Sequence, residues 1–87
     1  MSAKYPPIAE RRNYYVNAVI EIAYDIDETG RPVNLRIVSN DHNGKYNSAF
    51  EKEALRATEK TRYEPKTVNG IPVQTKDNLK RIVFRGE

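Results

Sequence analysis

The sequence predicts an α+β domain in two layers, with a three-stranded antiparallel sheet in the order 2-1-3 and two helices on one face. Apolar residues alternate with period two in separate segments, and an amphipathic helix pattern joins the second predicted strand to the third. A chain of 87 residues forms one domain, 1–87, with a small core. The first residues, 1–4, are predicted to be a disordered end.

The first two strands are predicted to form a hairpin. Apolar residues occupy every second position over residues 16–26, which is typical of a half-buried strand. Residues 28–30 end in a glycine, which tolerates the positive φ of a tight turn. The alternation resumes over residues 33–38, so an antiparallel partner strand follows directly.

Two helices are predicted around this hairpin. Pro6 and Pro7 suit a first helical turn, and one or two short turns are expected over residues 8–13. Ser48 and Glu51 have the spacing of a capping box at the start of the second helix. An apolar stripe follows, and proline at position 65 is expected to stop the helix. The stripe consists of Phe50, Ala54, Ala57 and Thr61.

The last predicted strand covers residues 79–85, after an Asn-Gly tight-turn signal at residues 69–70. Ile82 and Phe84 share one side, whereas Leu79 and Val83 share the other, and a bulge near Asp77 would reconcile the pattern. A right-handed crossover through the second helix puts this strand beside strand one, at the edge of the sheet. The outer side of this strand is therefore expected to be open.

The residue inventory argues against an enzyme and against a bound cofactor. There is no cysteine, and the only histidine, His42, lies in a polar loop, so a transition-metal site would need carboxylates alone. Residues 25–30 resemble half of a calcium loop, but its last ligand position is Arg36 instead of glutamate. We interpret this segment as a hairpin turn with a solvated acidic side. No phosphate-binding loop is present.

Positive charge is concentrated in the second half of the chain. Residues 45–87 contain ten Lys and Arg against six Asp and Glu, while residues 1–44 contain five against six. The charges around the last strand favour three interpretations: contact with nucleic-acid phosphates, repulsion between identical sheet edges, and capture of an extended peptide as an added strand. They are carried by Lys76, Lys80, Arg81 and Arg85.

Four short motifs, in this order and spacing, resemble the C-terminal domain of TonB. They are Tyr5-Pro6 followed by Ala9, the hairpin segment from Tyr24 to Arg31, the helix exit Arg62-Tyr63-Glu64-Pro65, and Gly70-Ile71-Pro72-Val73. The resemblance extends over nearly the whole chain. The related C-terminal domain of TolA is a weaker match, because such domains usually carry cysteines and lack the Tyr-Pro opening and the Arg-Tyr-Glu-Pro exit.

The resemblance implies a periplasmic domain that couples the inner-membrane proton motive force to import, for example of siderophores or metals. Its partners would be the TonB box of outer-membrane transporters and, through an N-terminal anchor outside this sequence, the motor proteins ExbB and ExbD. The box would add as a strand to the last strand, and a strand-exchanged homodimer is an alternative occupant. A basic nucleic-acid-binding module remains the alternative function.

The resemblance also implies which residues meet the partner. The expected contacts lie along the last strand and at the Tyr-Pro opening, whereas Tyr63 and Pro65 are expected to pack the helix exit against the sheet. The partner-binding residues predicted are Leu79, Lys80, Arg81, Ile82, Val83, Phe84, Arg85, Tyr5 and Pro6.

Overall fold

The computed structural model describes residues 3–86 and confirms the predicted two-layer architecture. In chain order the elements are α1 (Pro7–Arg11), β1 (Ala18–Ile26), β2 (Pro32–Asn40), α2 (Asn47–Lys60), β3 (Lys66–Val68), β4 (Ile71–Val73) and β5 (Thr75–Phe84). β1 lies between β2 and β5 in an antiparallel sheet, which is the predicted order 2-1-3 with β5 as the third strand. β3 and β4 form a separate two-stranded sheet.

The core lies between one face of the main sheet and the helices. Alternate residues of β1 are buried, as the period-two pattern predicted, and they meet buried side chains of β5 and α2. Ala9 adds the contribution of α1. Most of this core is apolar, so burial of alternate positions is what holds the sheet under the helices. Its buried members are Ala9, Ala18, Ile20, Ile22, Tyr24, Phe50, Ala54, Ile82 and Phe84.

The start of α2 differs from the predicted capping box. The N-cap residue is Tyr46, in a left-handed conformation with φ 60°, and no side chain caps the helix. Glu51 instead accepts a hydrogen bond from Asn40 Nδ2 at 2.9 Å, and the same nitrogen donates to Asn47 Oδ1 at 2.7 Å. The end of β2 therefore holds the first turn of the helix, and the capping-box prediction was wrong.

The end of α2 is determined by a tertiary contact. The helix stops at Lys60, before the proline that was expected to stop it. The Tyr63 N–H donates to the carbonyl of Gly30 at 2.9 Å, which joins the helix exit to the β1–β2 turn. Gly30 has φ 86°, and a Cβ there would lie 2.0 Å from the Tyr63 carbonyl oxygen. Only glycine fits this close approach without a backbone shift.

The segment before the last strand holds more structure than the pattern predicted. Asn69 and Gly70 both have positive φ, 52° and 79°, which confirms the tight turn, and this turn joins β3 to β4. β5 begins at Thr75 instead of Leu79. The early part was missed because a bulge interrupts the alternation: the β1–β5 register shifts beside Asp77, which has φ 57°.

The predicted disordered end, residues 1–4, is described only in part. Of the predicted disordered end, residues 1 and 2 lie outside the described residues, as does residue 87, whereas Ala3 packs against the core.

The longest helix of the described chain is α2, with 14 residues, and no helix of the described chain has the length and apolar character needed to cross a membrane.

Candidate functional site

The outer side of β5 is a free edge of the main sheet. Among residues 3–86, β5 pairs along one side only, with β1. The pairing keeps one register from Asn78, opposite Tyr24, to Phe84, opposite Ala18. Seven consecutive residues of β5 thus present a regular outer side, which we call the β5 edge (residues 78–84).

The direction of the backbone groups along this edge follows from contacts of β1. Val19 donates its N–H to Asp41 Oδ1 at 2.7 Å and accepts the Asp41 N–H at 3.1 Å, so its backbone faces β2. Backbone groups alternate sides along a strand. Ala18 and the other even-numbered residues of β1 therefore face β5 and pair with its even-numbered residues.

The odd-numbered residues of the β5 edge consequently direct their N–H and C=O groups outward. These residues are Leu79, Arg81 and Val83, with Arg85 continuing the series just after the strand. Such a row of unpaired donors and acceptors is a template for another extended chain. The predicted contact residues Lys80, Ile82 and Phe84 use their backbone groups towards β1 instead.

The side chains of the β5 edge divide in the same way. Ile82 and Phe84 are buried in the core, 1% and 2% exposed, while Leu79 and Val83 are 65% and 41% exposed on the face without helices. Arg81 is exposed beside them. The edge thus combines a firmly packed inner face with an accessible apolar and basic outer face.

Lys80 is the partly buried cation of this strand. Its Nζ donates to the Tyr63 hydroxyl at 3.1 Å and lies 5.4 Å from the Tyr63 ring centroid. The Tyr63 ring stacks on Tyr24 at 5.3 Å. Burial, followed by the neighbouring Tyr63 hydroxyl, raises the pKa of Tyr24 to about 12. The predicted packing role of Tyr63 is therefore confirmed, and the helix exit supports β5 through Lys80.

Tyr5 lies under the carboxyl end of β5, and Pro6 follows it as the N-cap of α1. The Tyr5 hydroxyl donates to the Tyr14 carbonyl at 2.9 Å and accepts the Val16 N–H at 3.0 Å. Its ring meets Phe84 at 6.3 Å, edge to face, and Pro6 is fully buried. Tyr5 can therefore affect the β5 edge through its packing on Phe84.

Other candidate residues have structural partners. His42 Nε2 lies 3.1 Å from the Lys45 carbonyl, and its ring packs edge to face on Phe50 at 5.2 Å. Asp27 accepts the N–H groups of Thr29 and Arg31 at 2.9 and 3.0 Å, as expected of a hairpin turn. Within the described part of the chain, no group of three or more His, Cys, Asp or Glu side chains could hold a metal ion.

The open face of β1 does not resemble a nucleic-acid platform. Base stacking on a sheet of this kind requires aromatic side chains on exposed central positions. The open face of β1 instead presents Val19, Glu21 and Ala23, while Tyr24 points into the core. Within residues 3–86, the basic residues near β5 therefore lie on a sheet whose central strand has no exposed aromatic side chain.

Sequence reasoning missed the role of Asp25. It was interpreted as part of a solvated acidic side, but it is only 6% exposed, and its Oδ1 accepts the N–H of Asp77 at 3.0 Å. The Asp77 N–H holds the pKa of the Asp25 carboxyl below its usual range, with the Asn34 amide as the next cause. A carboxylate inside an apolar alternation was the available signal.

Comparison with known proteins assigns the family. The model of the family described as the Gram-negative bacterial TonB protein C-terminal matches residues 1–85. The chain belongs to this TonB C-terminal family. No curated protein matched.

A solved structure agrees with the TonB assignment. The TonB2 protein from Vibrio anguillarum is similar at 28% sequence identity with a TM-score of 0.64, covering 97% of this chain and 74% of that chain. TonB C-terminal domains are non-enzymatic domains of energy transducers that work with outer-membrane transporters, and they are periplasmic in Gram-negative bacteria. The recognition of this family from four short motifs is thus confirmed.

Proposed function

We propose that this TonB domain binds the TonB box of an outer-membrane transporter by adding it as a strand to the β5 edge. The single observation that carries the proposal is the outward row of backbone groups at Leu79, Arg81 and Val83 on the β5 edge, where the register with β1 is unbroken. An extended peptide that pairs there gains a ladder of hydrogen bonds that depends little on its side chains.

This mode of binding suits a domain that pulls on its partner. Each backbone hydrogen bond contributes about 0.5–1.5 kcal/mol net, and ordering the peptide opposes binding, so we expect modest affinity. In the proposed role, the inner-membrane proton motive force reaches the domain through an N-terminal anchor that works with ExbB and ExbD. Tension on the added strand then remodels the transporter for import, for example of a siderophore or metal.

Each predicted contact residue has a distinct part in the proposal. Leu79, Arg81, Val83 and Arg85 offer backbone groups and exposed side chains to the partner. Lys80, Ile82 and Phe84 keep the strand on the sheet, because they face the core side. Tyr5 supports the same strand from beneath its carboxyl end, and the buried Pro6 holds the start of α1 next to Tyr5.

The first test is a titration of the ¹⁵N-labelled domain with a synthetic TonB-box peptide, followed by amide chemical shifts. We expect the largest changes at Leu79, Arg81 and Val83, and smaller changes along β2. Peptide binding that leaves residues 79–85 unperturbed would contradict the proposal, as would an absence of binding at millimolar peptide.

A matched pair of variants tests the backbone directly. Val83→Pro removes an outward N–H, and proline is tolerated on edge strands where the lost donor faces solvent, so the fold should survive. Val83→Ala keeps the N–H and is the control. We expect Val83→Pro to weaken peptide binding about tenfold or more, about 1.4 kcal/mol, and Val83→Ala to bind nearly as the parent does. Equal binding by both variants would argue against strand addition.

A second copy of the chain is the competing occupant of the same edge. A strand-exchanged homodimer would cover residues 79–85 and make peptide binding depend on protein concentration. Sedimentation velocity over a range of concentrations, with and without peptide, separates the two occupants. We expect a monomer that binds one peptide.

A further inference from the structure

Asp25 connects two irregular positions, one on each strand that flanks β1. Its Oδ1 accepts the Asp77 N–H at 3.0 Å, and its Oδ2 accepts a hydrogen bond from Asn34 Nδ2 at 3.0 Å. Arg36 Nη1 lies 3.6 Å from the same carboxylate, and Arg36 Nη2 pairs with the Asp77 carboxylate. A buried carboxylate thus joins β2 and β5 across the central strand.

Both residues that Asp25 binds have an uncommon backbone conformation. Asp77 has φ 57° and Asn34 has φ 54°, in the left-handed region that side chains other than glycine rarely adopt. The register with β1 shifts at both places, between Ala23 and Asp25 on the β2 side and between Tyr24 and Ile26 on the β5 side. Conformations of this kind persist where surrounding contacts hold them, and the Asp25 carboxylate supplies such contacts.

The bulge at Asp77 changes the row of donors on the β5 edge. By the alternation that directs Leu79, Arg81 and Val83 outward, Asp77 would be the next outward donor of a regular strand. Its N–H is instead bonded to the Asp25 carboxylate inside the sheet. The regular row of outward donors that a partner strand meets along β5 therefore ends at Leu79.

We propose that Asp25 is a positioning residue that sets the limit of the docking edge, by withdrawing the Asp77 N–H from an incoming extended peptide. This inference rests on the proposed strand addition at β5. A fixed end to the ladder gives the partner segment a defined extent along a strand that would otherwise accept several registers.

Hydrogen exchange of backbone amides with and without a synthetic TonB-box peptide tests the inference on the unmodified chain. Exchange at Leu79, Arg81 and Val83 should slow when peptide is added. Exchange at Asp77 should be slow already and unchanged, because its N–H has a partner before the peptide arrives. If the peptide slows exchange at Asp77 as much as at Leu79, the inference is overturned without any variant.

The variant Asp25→Val removes the acceptor, and Asp27→Val is the control. Asp27 also accepts backbone N–H groups, but it does so in the β1–β2 turn, away from Asp77. In Asp25→Val we expect Asp77 to lose its protection in the free domain and to gain protection when peptide binds. The control should keep the parent pattern at Asp77.

The outcomes separate the inference from the proposed function. An absence of peptide protection along residues 79–85 of the parent chain would remove the proposed function. Protection at residues 79–85 together with an unchanged Asp77 pattern in Asp25→Val would overturn only the role of Asp25. If Asp25→Val does not fold, the measurement on the parent chain still decides.

Discussion

The two outer edges of the main sheet, β2 and β5, differ in regularity. β2 begins with the buried Pro32, and its register with β1 shifts twice along its length. Asn34, its third residue, is left-handed, and Val38, beside the other shift, is 55% exposed. Bulges and proline are ways in which natural sheets protect an edge from unwanted pairing.

The β5 edge keeps one register with β1 over residues 78–84 and carries exposed charge instead. Arg81 and Arg85 are exposed, and neither forms an ion pair with another residue in the described range 3–86. Cations repel a second copy of the same edge and leave its backbone groups available. Exposure alone therefore does not identify the edge that we propose to receive a partner. In the part of the chain that the structure describes, both edges lack a neighbouring strand, but only β5 offers a regular row of donors and acceptors.

The largest expected effect is a loss of stability on the inner face of β5, measured against a substitution on its outer face. Ile82→Ala removes a side chain that is 1% exposed in the core, so we expect a loss of about 2–5 kcal/mol in the free energy of unfolding. Val83→Ala, one residue later on the open face, should cost much less. Urea unfolding of both variants measures the difference. Similar losses would mean that β5 has no free face.

The next effect concerns Gly30, where the β1–β2 turn contacts the helix exit at Tyr63. Gly30→Ala introduces a Cβ that would lie 2.0 Å from the Tyr63 carbonyl, at φ 86°, whereas Gly70 has a similar φ of 79° with nothing near its Cβ position. We expect Gly70→Ala to cost about 1–2 kcal/mol for the left-handed conformation alone. Gly30→Ala should cost clearly more, because the backbone must also move. Thermal unfolding of the pair isolates the steric part.

A smaller effect is a pH dependence of stability from Asp25 and Asp27. Hydrogen bonds from the Asp77 N–H and from Thr29, respectively, lower the pKa of these carboxyls from 3.8. A carboxyl whose pKa is lower in the folded state contributes stability above its unfolded value, and this is lost as pH falls through the folded value. The free energy of unfolding should thus decrease on acidification below about pH 4.

Substitutions of Asp25 and Asp27, one at a time, separate the contributions of the two carboxyls to this pH dependence. Asp25→Asn should reduce the slope of unfolding free energy against pH and should change exchange of amides near Asp77. Asp27→Asn should reduce the slope without that local change, because it lies in the β1–β2 turn. Urea unfolding over a series of acidic pH values checks the slopes. A slope that both variants leave intact would show that other carboxyls cause it.

The smallest expected effect tests protection by charge. Replacing Arg81 and Arg85 by serine should increase self-association a few-fold, since each exposed charge contributes at most about 1 kcal/mol. Replacing Arg11 and Arg12, exposed at the end of α1, by serine gives the same change in net charge away from the edge. Sedimentation velocity at low salt compares them. If both double variants self-associate equally, the net charge of the chain protects the edge, and the placement of charge on β5 does not.

Local patterns predicted most of the frame. The alternation that assigned Ile20 and Ile22 to the core, and the glycine turn at residues 28–30, depend on neighbouring residues and were confirmed. The capping box failed because Asn40, from another element, occupies the helix start. The sequence predicted the site as a stretch of residues. It could not predict which of their backbone groups point outward, since this direction depends on the register between β1 and β5.

By itself, the sequence determined the faces of the strands, the amphipathic helix, the hairpin turn and the family, because each of these depends on the spacing of residues that are close together in the chain. Only the tertiary structure decided which edge is regular, which amides point outward, and that Asp25 holds the N–H of Asp77, 52 positions away. The physical reason is that hydrogen bonds between strands link residues far apart in the chain, and a single bulge changes every direction beyond it.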